Sequence, residues 1–366
     1  MPAWGGLLLA AIGLSLASCG GPGGCHDPQL EGREEPSRLD TSGGSSGSSG
    51  LDGSADAAAS EDGSGEDLPP RGDGGSPSST LTVAVISDLN GAYGSTEYRA
   101  PVKGAVDRIV GLSPDLVLCT GDMVAGQQAG LDYRAMWAAF HGAVTERLAS
   151  AGIPLAVSPG NHDASRGDRY REEREVFISE WGARRPAVDW VEDADYPVRY
   201  AFARGPALFV SLDASSVGPL GPEQMRWLEA RLRDGRDLPV KLVFGHLPIR
   251  PLTQGREREV MGDRRLERLL AEHGVAAYVS GHHHAFYPGR RGALRLIGVG
   301  CLGAGPRALL GVEEVAPQSF VVLEVTPTGV SSVRAYAGDR FDRLIRRAEL
   351  PARLGEGGSL VVRDDL

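Results

Sequence analysis

Apolar residues along this chain fall into two alternating kinds of run. LTVAVIS (81–87), DLVLC (115–119), IPLAV (153–157), VKLVF (240–244) and AAYVS (276–280) are short and nearly continuous. Such runs predict strands covered on both faces. Between them the apolar positions take helical spacing. Val102, Val106, Ile109 and Val110 lie within 96–112, and Met136, Trp137, Phe140, Val144 and Leu148 within 133–150. Met225, Leu228 and Leu232 share one face of a helix over 221–233, opened by Pro222 and stopped by Gly235. A further helix is expected over 264–273. Asp88 to Asp122 is 34 residues and Asp122 to Asn161 is 39, each enough for a β-α-β unit. The first half therefore predicts a parallel α/β layer. In the second half, 200–214 reads as two strands around Gly205-Pro206, and 294–300, 320–326 and 331–338 are β-rich. Two mixed sheets packed face to face with helices outside would accommodate all of these elements over residues 80–340. The charged stretch 341–366 is expected to be a peripheral C-terminal tail.

Composition changes the picture mainly at the N-terminus. Residues 19–79 are rich in Gly, Ser, Pro and acids, too poor in apolar side chains to offset chain entropy, and are expected to be a flexible linker. Such a tether reaches about 40–45 Å in root-mean-square terms. Twelve acids and three arginines give residues 20–79 a charge of −9 out of −10 for the whole chain. The remainder is close to neutral, so no basic groove for nucleic acid is expected. Residues 1–18 hold a short apolar run ending in small residues, the pattern of an export signal. Leu16-Ala17-Ser18-Cys19 resembles the lipobox of bacterial lipoproteins, in which the cysteine becomes the lipidated first residue. That resemblance implies membrane attachment through Cys19 and, with Gly20 following, an outer-membrane or surface location. A plain secretory peptide is the alternative. Cys25, Cys119 and Cys301 then remain, enough for one disulfide at most.

The chemistry sits where the predicted strands end. Asp88 closes the first run, Gly121-Asp122 follows the second, and Gly160-Asn161-His162-Asp163 the third; Gly245-His246 and Gly281-His282-His283-His284 follow the fourth and fifth. An aspartate or histidine after one strand is ordinarily a turn residue, a helix cap or a surface group. Five such groups at the ends of alternating strands point instead to one shared site, and their side chains are metal ligands. Carboxylates bring negative charge, and neutral imidazoles add donors without more charge.

In order and spacing these motifs resemble the calcineurin-like metallophosphoesterase superfamily over roughly residues 81–340. The resemblance implies a four-layer α/β/β/α sandwich carrying two divalent ions (Mn, Fe, Zn or Mg). It implies that Asp122 bridges the ions, that one also takes Asn161, His246 and His282, and that the other takes Asp88, Asn90 and His284. His162 would stand beside them and protonate the leaving group or stabilise its developing charge, Asp163 would orient its neighbours, and His283 would point away. Two ions of this kind clamp a phosphate and acidify a shared water, the bridging hydroxide nucleophile of phosphoester hydrolysis. One position departs from the pattern: Asn90 stands where the family usually has histidine. An amide oxygen suits Mn2+ or Mg2+ better than Zn2+. Tyr93 offers a further donor, whereas Ala125 stands where purple acid phosphatases carry tyrosine. Arg166 and Arg169 are candidates for substrate phosphate or for surface ion pairs. The implied function is hydrolysis of small-molecule phosphate mono- or diesters. The alternatives are a nucleotide phosphodiesterase and a metal-binding, inactive surface module.

Overall fold

The computed structural model describes residues 80–366. Its opening alternation is β1 (Leu81–Ile86), α1 (Ala100–Leu112), β2 (Leu116–Cys119), α2 (Tyr133–Phe140), α3 (Glu146–Ser150) and β3 (Leu155–Val157). Helices α2 and α3 join through a single π-type segment, His141–Thr145. There follow α4 (Asn161–Ala164), α5 (Arg171–Gly182), β4 (Asp189–Glu192), β5 (Tyr200–Arg204), β6 (Ala207–Ser211) and α6 (Pro222–Asp234). The chain then runs through β7 (Val240–Gly245), α7 (Arg264–Glu272), β8 (Ala277–Ser280), β9 (Tyr287–Arg291) and β10 (Leu294–Gly298). It ends with β11 (Ser319–Thr326), β12 (Gly329–Ala337), β13 (Arg343–Leu344), β14 (Arg353–Leu354) and β15 (Val361–Arg363).

These strands form two mixed sheets, one of six in the order β13-β12-β11-β1-β2-β3 and one of nine in the order β14-β15-β9-β10-β8-β7-β6-β5-β4. In the first, β1, β2 and β3 run parallel while β11 returns antiparallel beside β1. In the second, β6, β7, β8 and β10 are parallel. The hairpin expected at Gly205-Pro206 is present, with Arg204 paired to Ala207.

Side-chain alternation along single strands shows how the layers stack. On β7, Leu242 and Phe244 join a core that includes β1, β2, β3 and β11, whereas Val243 joins α6 and α7. On β6, Phe209 faces the first core and Leu208 and Val210 the second. Helices α1, α2 and α5 cover the six-stranded sheet with Val106, Ile109, Trp137, Phe140, Phe177 and Trp181. Leu228 and Leu232 of α6 and Leu266 and Leu270 of α7 cover the nine-stranded one. The result is the four-layer sandwich, helix, sheet, sheet, helix.

The C-terminal segment is peripheral, but as sheet edge rather than loose tail. β13 pairs with β12 on one sheet, and β15 pairs with β9 on the other. Leu354 and Val361 are buried there, and the Tyr287 hydroxyl donates to the Pro351 carbonyl at 3.1 Å. Cys119 and Cys301 are both free and buried. The segments read as signal and linker, with Cys19 and Cys25, lie outside the described residues.

Candidate metal centre

Parallel strands deliver their C-terminal ends to one edge, so β1, β2 and β3 place Asp88, Asp122 and Asn161 together, and β7 and β8 do the same for His246 and the 282–284 turn. The two edges touch where His246 Nδ1 donates to the Thr120 carbonyl at 2.9 Å. The turns are tight. Asp88, Asp122, His282 and His284 all have positive φ, 52°, 54°, 62° and 55°. Left-handed backbone costs a non-glycine residue about 1–3 kcal/mol and persists where the surroundings impose it, most often at functional sites. Close approach also explains two glycines. A Cβ on Gly121, itself at φ 101°, would lie 2.7 Å from the Gly160 backbone; one on Gly281 would lie 1.8 Å from Ser87 Oγ and 2.6 Å from Asp88 Oδ2.

The first group of ligands converges on His246. Its Nε2 lies 2.8 Å from Asn161 Oδ1, 3.3 Å from Asp122 Oδ2 and 3.1 Å from His282 Nδ1. Donor atoms of Asp122, His246 and His282 all fall within 4.8 Å of one another, and all three residues are buried. Because the Thr120 oxygen can only accept, His246 carries its proton on Nδ1, and its Nε2 lone pair faces the lone pairs around it. A divalent cation answers that arrangement. A second proton on His246 is the lesser substitute: burial opposes it, yet the Asp122 carboxylate lifts this imidazole to about 9. The geometry demands positive charge. His282 goes the other way, held neutral by burial and by the Arg256 guanidinium.

The second group is Asp88 with His284. Asp88 Oδ1 lies 3.2 Å from His284 Nε2, and His284 Nδ1 donates to the Gly305 carbonyl at 2.7 Å. Asp88 Oδ2 takes hydrogen bonds from Ser87 Oγ at 2.6 Å and from the His282 amide at 3.0 Å, which links the two groups. Burial works against ionisation of Asp88, but His284 and His246 hold its carboxyl below the usual range. Asn90 is buried in the same turn, its backbone N–H donating to the Asp122 carbonyl at 3.1 Å. The side-chain oxygens Asp88 Oδ1 and Asn90 Oδ1 are both buried without a hydrogen bond. Buried acceptors of this kind are rare unless something positive faces them. The donor set therefore fits a pair of divalent ions.

Other expected residues fall around this centre. His162 is the second residue of α4, its backbone amide donating to Asp122 Oδ1 at 2.9 Å and its ring 5.6 Å from that of Tyr93. Asp163 accepts from the amides of Met123, Val124 and Gly160 at 2.7, 2.9 and 3.1 Å, tying the β2 and β3 turns together. His283 points away from the ligands: Nδ1 faces the amides of Leu252 and Thr253 at 3.1 and 3.3 Å. Arg166 approaches Asp213 at 3.7 Å, and Arg169 lies over the Tyr170 ring. Sequence reasoning missed Arg256 and Glu259, which pack against His282. They sit in Arg256-Glu257-Arg258-Glu259, a run that reads as solvated surface.

Comparison with known proteins came to the same fold. The model of the calcineurin-like phosphoesterase family matches residues 81–286. Among solved structures, purple acid phosphatase PPD1 from yellow lupin (Lupinus luteus) seeds superposes with a TM-score of 0.53 at 18% identity, over 73% of this chain and 53% of the lupin chain. GAP50, the anchor in the inner membrane complex of Plasmodium, gives 0.50 at 14% identity, over 73% and 87%. A dimetal phosphatase from Danio rerio gives 0.47 at 15%, over 69% and 98%. At such identities the likeness is one of fold, and this chain spans about half the length of the lupin protein. No curated protein matches the sequence.

Proposed function

This chain belongs to the calcineurin-like phosphoesterase family, and from that premise we propose that it hydrolyses small phosphate esters with two divalent metal ions at the shared edge of its sheets. The observation that carries this reading is the convergence of five strand ends from two sheets on one cluster of buried metal-type side chains, with Asp88 Oδ1 and Asn90 Oδ1 left without a hydrogen bond. Asp122, Asn161, His246 and His282 would hold one ion and Asp88, Asn90 and His284 the other, with Asp122 shared. When bound, the ions supply Lewis acidity towards a phosphoryl oxygen and a water acidified towards neutrality.

The chain's own residues do the remainder. Two carboxylates against two dications leave the centre about +2, enough to attract a phosphate dianion or diester. Asp122 anchors the His162 backbone amide, so a carboxylate that would hold the ions also sets the position of the imidazole beside it. His162 Nε2 would give its proton to the leaving oxygen, and Asp163 keeps the turns that carry both residues in register. Nothing in this arrangement prefers monoesters over diesters, and a nucleotide phosphodiester would be one member of the class.

The test is turnover of p-nitrophenyl phosphate and bis-p-nitrophenyl phosphate by the metal-loaded protein. Hydrolysis of at least one is expected, abolished by a chelator and restored by Mn2+. His162→Ala should lower kcat by about 10²–10⁴-fold with metal content unchanged. Protein that binds metal yet turns over neither ester with Mn2+, Zn2+, Mg2+ or Fe2+ would instead be a binding module, the reading that Asn90 in place of histidine favours.

The same proposal places the enzyme outside the cytoplasm, lipidated on Cys19 and held off an outer-membrane or cell surface by the acidic linker. Support comes from the Leu16-Ala17-Ser18-Cys19 sequence and the linker composition. Cys19→Ser should release the protein from the membrane fraction, and mass spectrometry should find acyl chains on the wild-type N-terminal peptide only.

A further inference from the structure

We propose that Glu259 is a positioning residue for the metal centre, holding His282 in the orientation and tautomer that bind an ion, with Arg256 fixing Glu259 in turn. The inference rests on the metallophosphoesterase reading above. His282 Nδ1 faces His246 Nε2 at 3.1 Å, so Nδ1 is the nitrogen on the metal side. The opposite nitrogen, Nε2, lies 3.0 Å from Glu259 Oε2. Arg256 Nη1 lies 2.8 Å from the same carboxylate oxygen, 3.0 Å from His282 Nε2 and 3.3 Å from His282 Nδ1, over the edge of the ring. Two donors cannot satisfy each other; the buried Glu259 Oε2, which has no hydrogen-bond partner among the described residues, is the acceptor that lies beside both. A proton on Nε2 leaves the Nδ1 lone pair directed inward.

The three histidines of the centre thus share one device with different backing. His246 and His284 turn Nδ1–H onto the backbone carbonyls of Thr120 and Gly305 at 2.9 and 2.7 Å. His282 instead backs onto a carboxyl side chain, a partner that makes a ligating histidine's inward nitrogen more basic than a carbonyl would. The group is enclosed: the side chains of Arg256, Glu259 and His282 are 7%, 12% and 2% exposed. Its loop is pinned to the histidine motif a second time, since His283 Nε2 donates to the Glu259 carbonyl at 3.1 Å while Nδ1 meets the amides of Leu252 and Thr253. Residues 252–259 therefore clasp the 282–284 turn from outside. A surface glutamate needs none of this.

Metal titration against a chromophoric chelator tests the assignment, with the absorption spectrum of the Co2+-loaded protein as a second readout. Glu259→Gln should weaken one of the two ions about 10–100-fold, leave the other nearly unchanged, and shift the Co2+ bands. Glu259→Ala leaves Arg256 buried and unpaired and can fail to fold. The double variant Arg256→Gln/Glu259→Gln removes both charges and should reproduce the affinity loss in a protein whose far-ultraviolet circular dichroism is native. Unchanged affinity and an unchanged Co2+ spectrum in folded Glu259→Gln and in the double variant would overturn the inference, leaving Glu259 as the counter-ion of Arg256. Wild-type protein that binds no metal would overturn the phosphoesterase reading itself, a separate outcome.

Discussion

Asn90 stands where the motif pattern leads one to expect histidine, and its buried side-chain oxygen, without a hydrogen bond, makes its place in the proposed centre testable. Imidazole binds Zn2+ more strongly than an amide oxygen does, whereas an amide tolerates harder ions. Asn90→His should raise Zn2+ affinity relative to Mg2+ by about tenfold or more, read by competitive metal titration; equal selectivity in both proteins would remove Asn90 from the centre. Gly281 marks the opposite limit. Its added Cβ would collide with Ser87 Oγ and Asp88 Oδ2, so Gly281→Ala should cost about 1–3 kcal/mol in denaturant unfolding and weaken metal binding along with it. At this scale the sequence was informative about residue types and silent about direction. Asp, Asn and His after strands were visible, but the Glu259 contact depends on a loop that returns from another part of the chain.

At the scale of elements, the π-type segment between α2 and α3 carries a buried histidine with no part in the chemistry. His141 lies in the π-type segment, packed between Trp137 and Trp181, with Glu180 Oε2 3.4 Å from Nε2. Burial and the Arg184 guanidinium outweigh the attraction of Glu180 and hold this imidazole down to about 4. The folded protein therefore refuses a proton that the unfolded chain accepts at about 6.5. Between those values the unfolded state binds more protons, so stability is full above about 6.5 and is lost as pH falls towards 4. Urea midpoints measured from pH 7 to 5 should fall more steeply for the wild type than for His141→Gln; parallel slopes would refute the assignment. The long elements were legible because their apolar spacing was strong. β4, β9 and β13–β15 were not: Tyr287–Arg291 carries Pro288 and Gly289, and β13 and β14 are two residues each, too short for any period to show.

Over the whole molecule, the centre lies where two sheets meet, and its ions would tie the sheets together. Asp122 and Asn161 come from one, His246 and His282 from the other. A ligand that binds only the folded state adds about 2.7 kcal/mol at a hundred times its dissociation constant. Saturating Mn2+ should raise the thermal midpoint by several degrees. Asp122→Asn, which removes the shared carboxylate, should lose most of that rise. An equal shift in both proteins would place the bound metal elsewhere.

What this sequence determined alone was the order of layers and the kinds of ligand. Covered strands and one-sided helices carry their own periodicities, and metal-type side chains stood at fixed offsets from them. Tertiary structure alone decided which lone pairs face one another, which nitrogen of each histidine points inward, and which carboxylate stands behind His282. Those depend on contacts between segments up to some two hundred residues apart, such as the Asp88 carboxylate and the His282 amide, and no local pattern encodes them.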